Sequence, residues 1–221
     1  MMTLEETRQA LLQAALPHVM FDGWSETTLR AAARDLEIAP EMAMNAFPEG
    51  PRDLVEAFSH WADEEMLRRL ADLDLDEMRM RERIAAGVRL RLEVLAPHRE
   101  ALRRSLSFLA LPHHAPLATR LLWRTADLLW YGAGDSATDY NYYSKRLLLS
   151  GVISTTTLYW LEDNSEGFAD TQSFLERRIE EVLRIGGRLG RTMSGLLDLP
   201  DRLFRRRSLL DRPPSRKFGA R

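Results

Sequence analysis

Gly134-Asp135-Ser136-Ala137-Thr138-Asp139-Tyr140-Asn141-Tyr142-Tyr143-Ser144-Lys145-Arg146 decides how the rest of the chain is read. Leu117, Leu121, Leu122, Leu128, Leu129 and Trp130 precede it, and Leu147, Leu148, Leu149, Val152, Ile153 and Leu158 follow it. Those spacings predict two long apolar helices joined by a polar, aromatic corner. Gly132 and Gly134 can close the first helix with positive φ. Asp135 or Asp139 can cap the second. On composition alone the corner is a helix–turn–helix junction with ordinary caps.

Outward from the corner the same helical period recurs. Leu4, Leu11, Leu12, Ala15, Leu16 and Val19 predict a first helix over about 3–20, closed by a turn at Phe21-Asp22-Gly23-Trp24. Ser25 or Thr27 caps a second helix, and Pro40 opens a short third one to Phe47. A fourth runs from about Arg52 to Leu70 through Leu54, Phe58, Trp61 and Met66. Beyond the acidic connector Asp72-Leu73-Asp74-Leu75-Asp76, a fifth extends to Leu95, with Met80, Ile84, Val88, Arg91 and Leu92 along one side. Its opposite side (Arg79, Arg81, Arg83, Arg89) reads as a solvated face. Pro97 opens a sixth helix, and a seventh spans about 117–131. The eighth spans about 139–161. Its small residues either let another helix approach closely or leave room for a ligand. A ninth runs over about 166–186, after a turn and cap at Asp163-Asn164-Ser165. From Gly186-Gly187 and Gly190 the chain is expected to loosen.

The first four helices have the layout of a DNA-binding helix-turn-helix, but their charge opposes that use. Between Asp22 and Asp53 stand three arginines and seven acidic residues. The would-be recognition helix, Pro40 to Phe47, has a glutamate and no basic residue. Affinity for DNA comes largely from cations that pair with phosphates and release counterions. Here that contribution has the wrong sign, so no nucleic-acid partner is expected.

The net charge of −2 hides an asymmetry: residues 188–221 carry +7 and the other 187 residues carry −9. In the basic tail, Leu203 and Phe204 adjoin Arg205, Arg206 and Arg207. Two readings stand: a disordered tail, or an amphipathic helix on an acidic lipid surface.

Chemistry finds little support. The absence of cysteine excludes disulfides, thiolate metal sites and a cysteine nucleophile. Glu56 and His60 are one residue too far apart for a Glu-x-x-His di-iron motif, and no His-Glu-x-x-His zinc helix occurs. Gly186-Gly187-Arg188-Leu189-Gly190 is not a phosphate loop, and no Gly-x-Ser-x-Gly elbow is present. No catalytic residue, metal or cofactor is therefore expected. No apolar run reaches the ~20 residues of a spanning helix. The acidic start Met1-Met2-Thr3-Leu4-Glu5-Glu6 resembles neither a signal nor a transit peptide. The expectation is a bacterial cytoplasmic protein peripheral to the inner membrane, or a mitochondrial matrix protein if eukaryotic.

One family carries the corner's pattern. Gly134-Asp135-x-x-Thr138-Asp139-x-Asn141-x-Tyr143-x-Lys145-Arg146, followed by Asp163-x-Ser165-x-x-Phe168-x-x-Thr171-x-x-Phe174-Leu175-x-x-Arg178-Ile179, resembles the isoprenoid-lipid-binding accessory proteins of ubiquinone biosynthesis. The resemblance covers roughly Thr7 to Gly187. It implies an all-α, TetR-like bundle of about nine helices, with a C-terminal amphipathic helix as a further element. It divides the chain into a helix-turn-helix-like region (1–70), a lipid-binding core (71–187) and a basic tail (188–221). The implied ligand is an isoprenoid quinone precursor or another lipid. A long apolar tail of that kind requires a large pocket, since burial gains about 25 cal/mol per Å2. Candidate lining residues are Leu106, Leu109, Leu121, Leu128, Leu147, Val152 and Leu158. The resemblance also implies a homodimer, membrane contact through the tail, and docking of a hydroxylase of the pathway on Leu129, Trp130, Tyr142, Tyr143 and Arg146. Eukaryotic members tend to carry tryptophan where this chain has Tyr142, which sets its docking surface apart from theirs. The competing readings are a TetR-type transcriptional regulator with a small-molecule pocket, and an enzyme acting on a quinone or lipid.

Overall fold

The computed structural model describes residues 2–134 and 141–197, with Asn141, Leu183 and residues 185–197 described by backbone alone. All the regular structure among them is helical. The α-helices are α1 (Leu4–Asp22), α2 (Glu26–Asp35), α3 (Pro40–Ala46), α4 (Pro51–Ala71), α5 (Met80–Leu95), α6 (Arg99–Leu109), α7 (Ala115–Gly132), α8 (Asn141–Glu162) and α9 (Ala169–Leu197). Single 3-10 turns precede α6, α7 and α9.

Local chemistry sets the helix ends. Thr3 and Glu6 form a reciprocal capping box at the start of α1. Ser25 Oγ accepts from the Thr28 amide at 3.2 Å to begin α2. Gly23 ends α1 at φ 64°, a conformation that side chains with a Cβ rarely adopt. The Asp163 turn is built as the sequence suggests. Its carboxylate accepts from the amides of Ser165 (2.8 Å) and Thr171 (2.9 Å), which leads the chain into α9.

Three boundaries differ from expectation. Helix α5 begins at Met80 rather than near Asp76, because Glu82 folds back to accept from the Arg79 amide at 2.9 Å. Arg83 is not simply solvated: its Nη1 donates to the Ala133 carbonyl at 3.0 Å, just past the C-terminus of α7, where a cation is favoured. Helix α9 does not stop at Gly186-Gly187 but continues to Leu197. Each glycine costs a helix about 1 kcal/mol, which the surrounding leucine, arginine and methionine residues, all good helix formers, offset. The boundary drawn at residue 188 therefore falls inside a helix. Leu203 to Arg207 lie outside the described residues.

The chain forms two compact units, one to Ile179 and one from Glu180. In the first, one core joins the N-terminal region to the rest: Leu11, Val19, Phe47, Leu54 and Phe58 are buried with Leu95, Leu102 and Trp160. Helices α5 and α7 approach closely at Gly87, where an added Cβ would lie 2.4 Å from Leu129 Cδ2. In the second unit, Arg184 pairs with Glu180 at 2.9 Å, one turn apart.

Candidate functional site: a five-helix cavity and an aromatic corner

Helices α4 to α8 surround a cavity of about 300 Å3. Its walls are mainly apolar: Val55 and Phe58 from α4, Leu95 from α5, Leu102, Leu106 and Leu109 from α6, Leu121 and Leu122 from α7, and Ile153 and Leu158 from α8. At this size it stands at the lower end of the ~300–1,000 Å3 typical of small-molecule pockets. The large pocket expected for a polyprenyl chain is therefore not what this cavity offers.

Ser105 of α6 and Ser154 and Thr157 of α8 add hydroxyls to the lining, and the charged group comes from the α4–α5–α7 side, where Ser59, Arg91 and Thr125 reach it. They belong to a network centred on Asp63, which is 0% exposed. Arg91 Nε donates to Asp63 Oδ1 at 2.9 Å, and Thr125 Oγ1 donates to the same oxygen at 2.9 Å. Arg124 Nη1 donates to Asp63 Oδ2 at 2.8 Å. Arg91 Nη2 also reaches Ser59 Oγ at 3.4 Å. A buried carboxylate needs such pairing to remain charged.

Of the lining residues read from the sequence, Leu106, Leu109, Leu121 and Leu158 do line this cavity. Leu128, Leu147 and Val152 do not. Leu147 is 67% exposed on the outside of α8, Val152 is buried in the core, and Leu128 is half-buried outside the lining. The leucine register did not point to Asp63, Ser59, Arg91 or Thr125. The usable signal was a charged residue in an apolar register: Arg91 beside Ile84, Val88 and Leu92, and Asp63 one turn before Met66.

The second cluster lies at the α7–α8 corner. Tyr142 Oη donates to Asp127 Oδ1 at 2.9 Å, and Arg146 Nε bonds the same oxygen. The Arg146 guanidinium stacks 3.3 Å from the Tyr142 ring centroid. The bond to Asp127 is the main cause holding the Tyr142 phenol above its ordinary pKa, with burial adding to it. Tyr143 stands 68% exposed, 5.1 Å from the Tyr142 ring and edge-on to it. Lys145 Nζ lies 5.3 Å from the centre of the half-buried Trp130 ring. Two members of the expected docking surface are not on the surface. Leu129 is 0% exposed, packed over Gly87, and Arg146 is 3% exposed, drawn inward by Asp127. Tyr143, Tyr142 and Trp130 remain to form it.

Of the histidines only the neighbours His113 and His114 meet, with ring centres 4.0 Å apart. His18 pairs with Asp35 at 2.6 Å, whereas His98 packs edge-on to Trp61. Burial lowers the pKa of His98, and burial followed by the nearby Arg124 charge lowers that of His60. Among the described residues no three His, Asp or Glu side chains gather to hold a metal ion. No helix among them is long and apolar enough to cross a membrane.

The helix order and packing define an all-α protein of the TetR-like class. The crystal structure of a TetR transcriptional regulator from Nitrosomonas europaea matches with a TM-score of 0.66, covering 80% of this chain and 98% of that one. At 21% identity that likeness shows the fold alone. The family model for COQ9 matches residues 115–186, which include the corner and the three cavity-lining leucines of α7 and α8, Leu121, Leu122 and Leu158. The mitochondrial ubiquinone biosynthesis protein COQ9-B of Xenopus laevis is 30% identical over 197 residues, spanning 86% of this chain and 67% of that protein. The mitochondrial COQ9 proteins of Homo sapiens and Bos taurus are each 31% identical over 82% of this chain. The chain belongs to the COQ9 family of ubiquinone biosynthesis proteins. It spans 59% of the length of these two mammalian relatives.

Proposed function

We propose that this chain is a non-enzymatic lipid carrier that binds polyprenyl quinone intermediates and presents them to a hydroxylase of ubiquinone biosynthesis. The observation that carries this reading is the apolar cavity among α4 to α8, in a member of a ubiquinone biosynthesis family. Its volume suits the head and first part of a chain, with the rest of the tail leaving the protein. The exposed Tyr143 beside Tyr142 and Trp130 supports docking of the hydroxylase at the corner, because tyrosine and tryptophan are common interface anchors. The row Leu147, Gly151, Thr155 and Leu158, exposed along α8, supports a homodimer. The basic tail supports contact with an anionic membrane, either the bacterial inner membrane or its mitochondrial counterpart. The alternative of a DNA-binding regulator is disfavoured by the exposed Glu41, Met42, Met44 and Asn45 of α3, which offer phosphates no cation.

Mass spectrometry of an organic extract of the purified native protein tests the carrier reading. A co-purifying long-chain lipid is expected. It should be lost in Ala118→Trp, which fills the cavity, and kept in Leu147→Gln, which lies outside it. A clean extract from a ubiquinone-making host would sink the reading.

A further inference from the structure

We propose that Arg91 anchors the polar end of the cavity's ligand, so that the cavity selects apolar chains headed by an oxygen acceptor (a carbonyl, phenol or carboxylate) and rejects amine heads. This inference rests on the carrier reading and specifies the chemistry of the same cavity.

The argument starts from charge. The Asp63 carboxylate is shared between two guanidiniums, Arg91 at 2.9 Å and Arg124 at 2.8 Å. Arg124 is partly exposed and also faces Glu64 at 3.8 Å on the outer surface. Arg91 is nine-tenths buried and lines the cavity. Arg124 thus turns partly outward, whereas Arg91 is held by Asp63 from behind and presents its guanidinium to an apolar space. A guanidinium carries five N–H donors in a planar fork. Asp63 and Ser59 engage two of them, and the Ser59 contact is long, at 3.4 Å.

A ligand oxygen brought to Arg91 would gain a charge-assisted hydrogen bond in a poorly solvated setting, where such bonds are strong. The Thr125 hydroxyl cannot serve in its place, because it already donates to Asp63. An ammonium head offers Arg91 no acceptor and would place a second cation beside its guanidinium. The apolar wall formed by Leu109 and Leu158 then takes the beginning of the chain. Two sources share this chemistry, namely quinone-type rings and free fatty acids.

The test is calorimetric titration of the full chain with an alkyl benzoquinone, with palmitate and with hexadecylamine, each also against Arg91→Lys and Ala118→Trp. Lysine keeps the charge beside Asp63 but loses the planar fork. The expected result is that oxygen-headed ligands bind roughly tenfold or more tightly than the amine, the scale of a charged hydrogen bond. In Arg91→Lys that preference should shrink severalfold, and Ala118→Trp should abolish all binding. A preference for the benzoquinone over palmitate would identify ring chemistry as the natural source, and the reverse order would identify acyl chains. Equal binding of all three heads, unchanged in Arg91→Lys, overturns the anchor while leaving the carrier reading intact. Failure of every ligand to bind the wild-type chain overturns both. The head-group comparison needs no variant, so it decides the matter even if Arg91→Lys does not fold.

Discussion

Two aspartates in this molecule do the same chemistry in different surroundings. Asp63 lies behind the cavity wall, 0% exposed, and ties α4 to α5 and α7 through Arg91, Arg124 and Thr125. Asp127 lies at the corner with its side chain 40% exposed, and ties α7 to α8 through Tyr142 and Arg146. Burial is what separates them. Water can replace the partners of Asp127 when they move, whereas nothing but protein can satisfy Asp63. The wall is therefore held by protein groups alone, whereas the corner is held by groups that solvent can reach.

The sharpest way to break this contrast is to remove the buried carboxylate. Asp63→Ala leaves Arg91 with an unpaired charge and should cost about 3–5 kcal/mol, measured by urea unfolding. A cost below about 1 kcal/mol would mean that the wall is not held in this way. Next in size is Gly87→Val. Even the first carbon of the new side chain would lie 2.4 Å from Leu129 Cδ2, and Leu129 is fully buried. Overpacking of this kind should cost about 3 kcal/mol, the upper end of its usual range. Trimming the obstruction in Gly87→Val/Leu129→Ala should recover part of that loss. If Gly87→Val were harmless, Leu129 would be free to turn outward, and its place on a docking surface would be restored.

Apolar spacing made the helical layout legible, because one buried face per helix leaves a clear period. Leu106, Leu109, Leu121 and Leu158 could be chosen for the cavity on that basis. The same reasoning failed for α8, which carries apolar residues on more than one side. Val152 turns into the core and Leu147 outward, and a leucine in register does not say whether it meets core, ligand or solvent. Arg91 illustrates the opposite case. It was visible as a charge on the apolar side of α5, but its meaning depends on Asp63, 28 residues away, which local pattern cannot pair with it. The end of α9 was missed because three glycines suggested a break, whereas their neighbours sustain the helix.

The smallest effect is expected at the corner, where it can be read as a titration as well as a stability. Asp127→Ala should cost about 1–2 kcal/mol, less than the loss of Asp63, because solvent reaches that carboxylate and the buried Arg146 keeps its bond to the Tyr142 carbonyl and its place over the Tyr142 ring. The same variant should move the Tyr142 phenol back down toward its ordinary value near 10. In the wild type the phenol donates to Asp127, and deprotonation would set a phenolate against a carboxylate, so the folded pKa is raised despite the opposing Arg146 charge. A raised acid favours the folded state in its protonated form. The corresponding stability is fully present below the unfolded phenol value near 10 and is lost as pH rises through the higher folded value. Ultraviolet absorbance titration of wild type and Asp127→Ala, with a Tyr142→Phe control to assign the transition, measures this directly. If Tyr142 titrates alike in both proteins, its hydrogen bond does not hold the corner, and the Arg146–Asp127 pair and the ring contacts of Trp123 and Trp130 join α7 to α8 there.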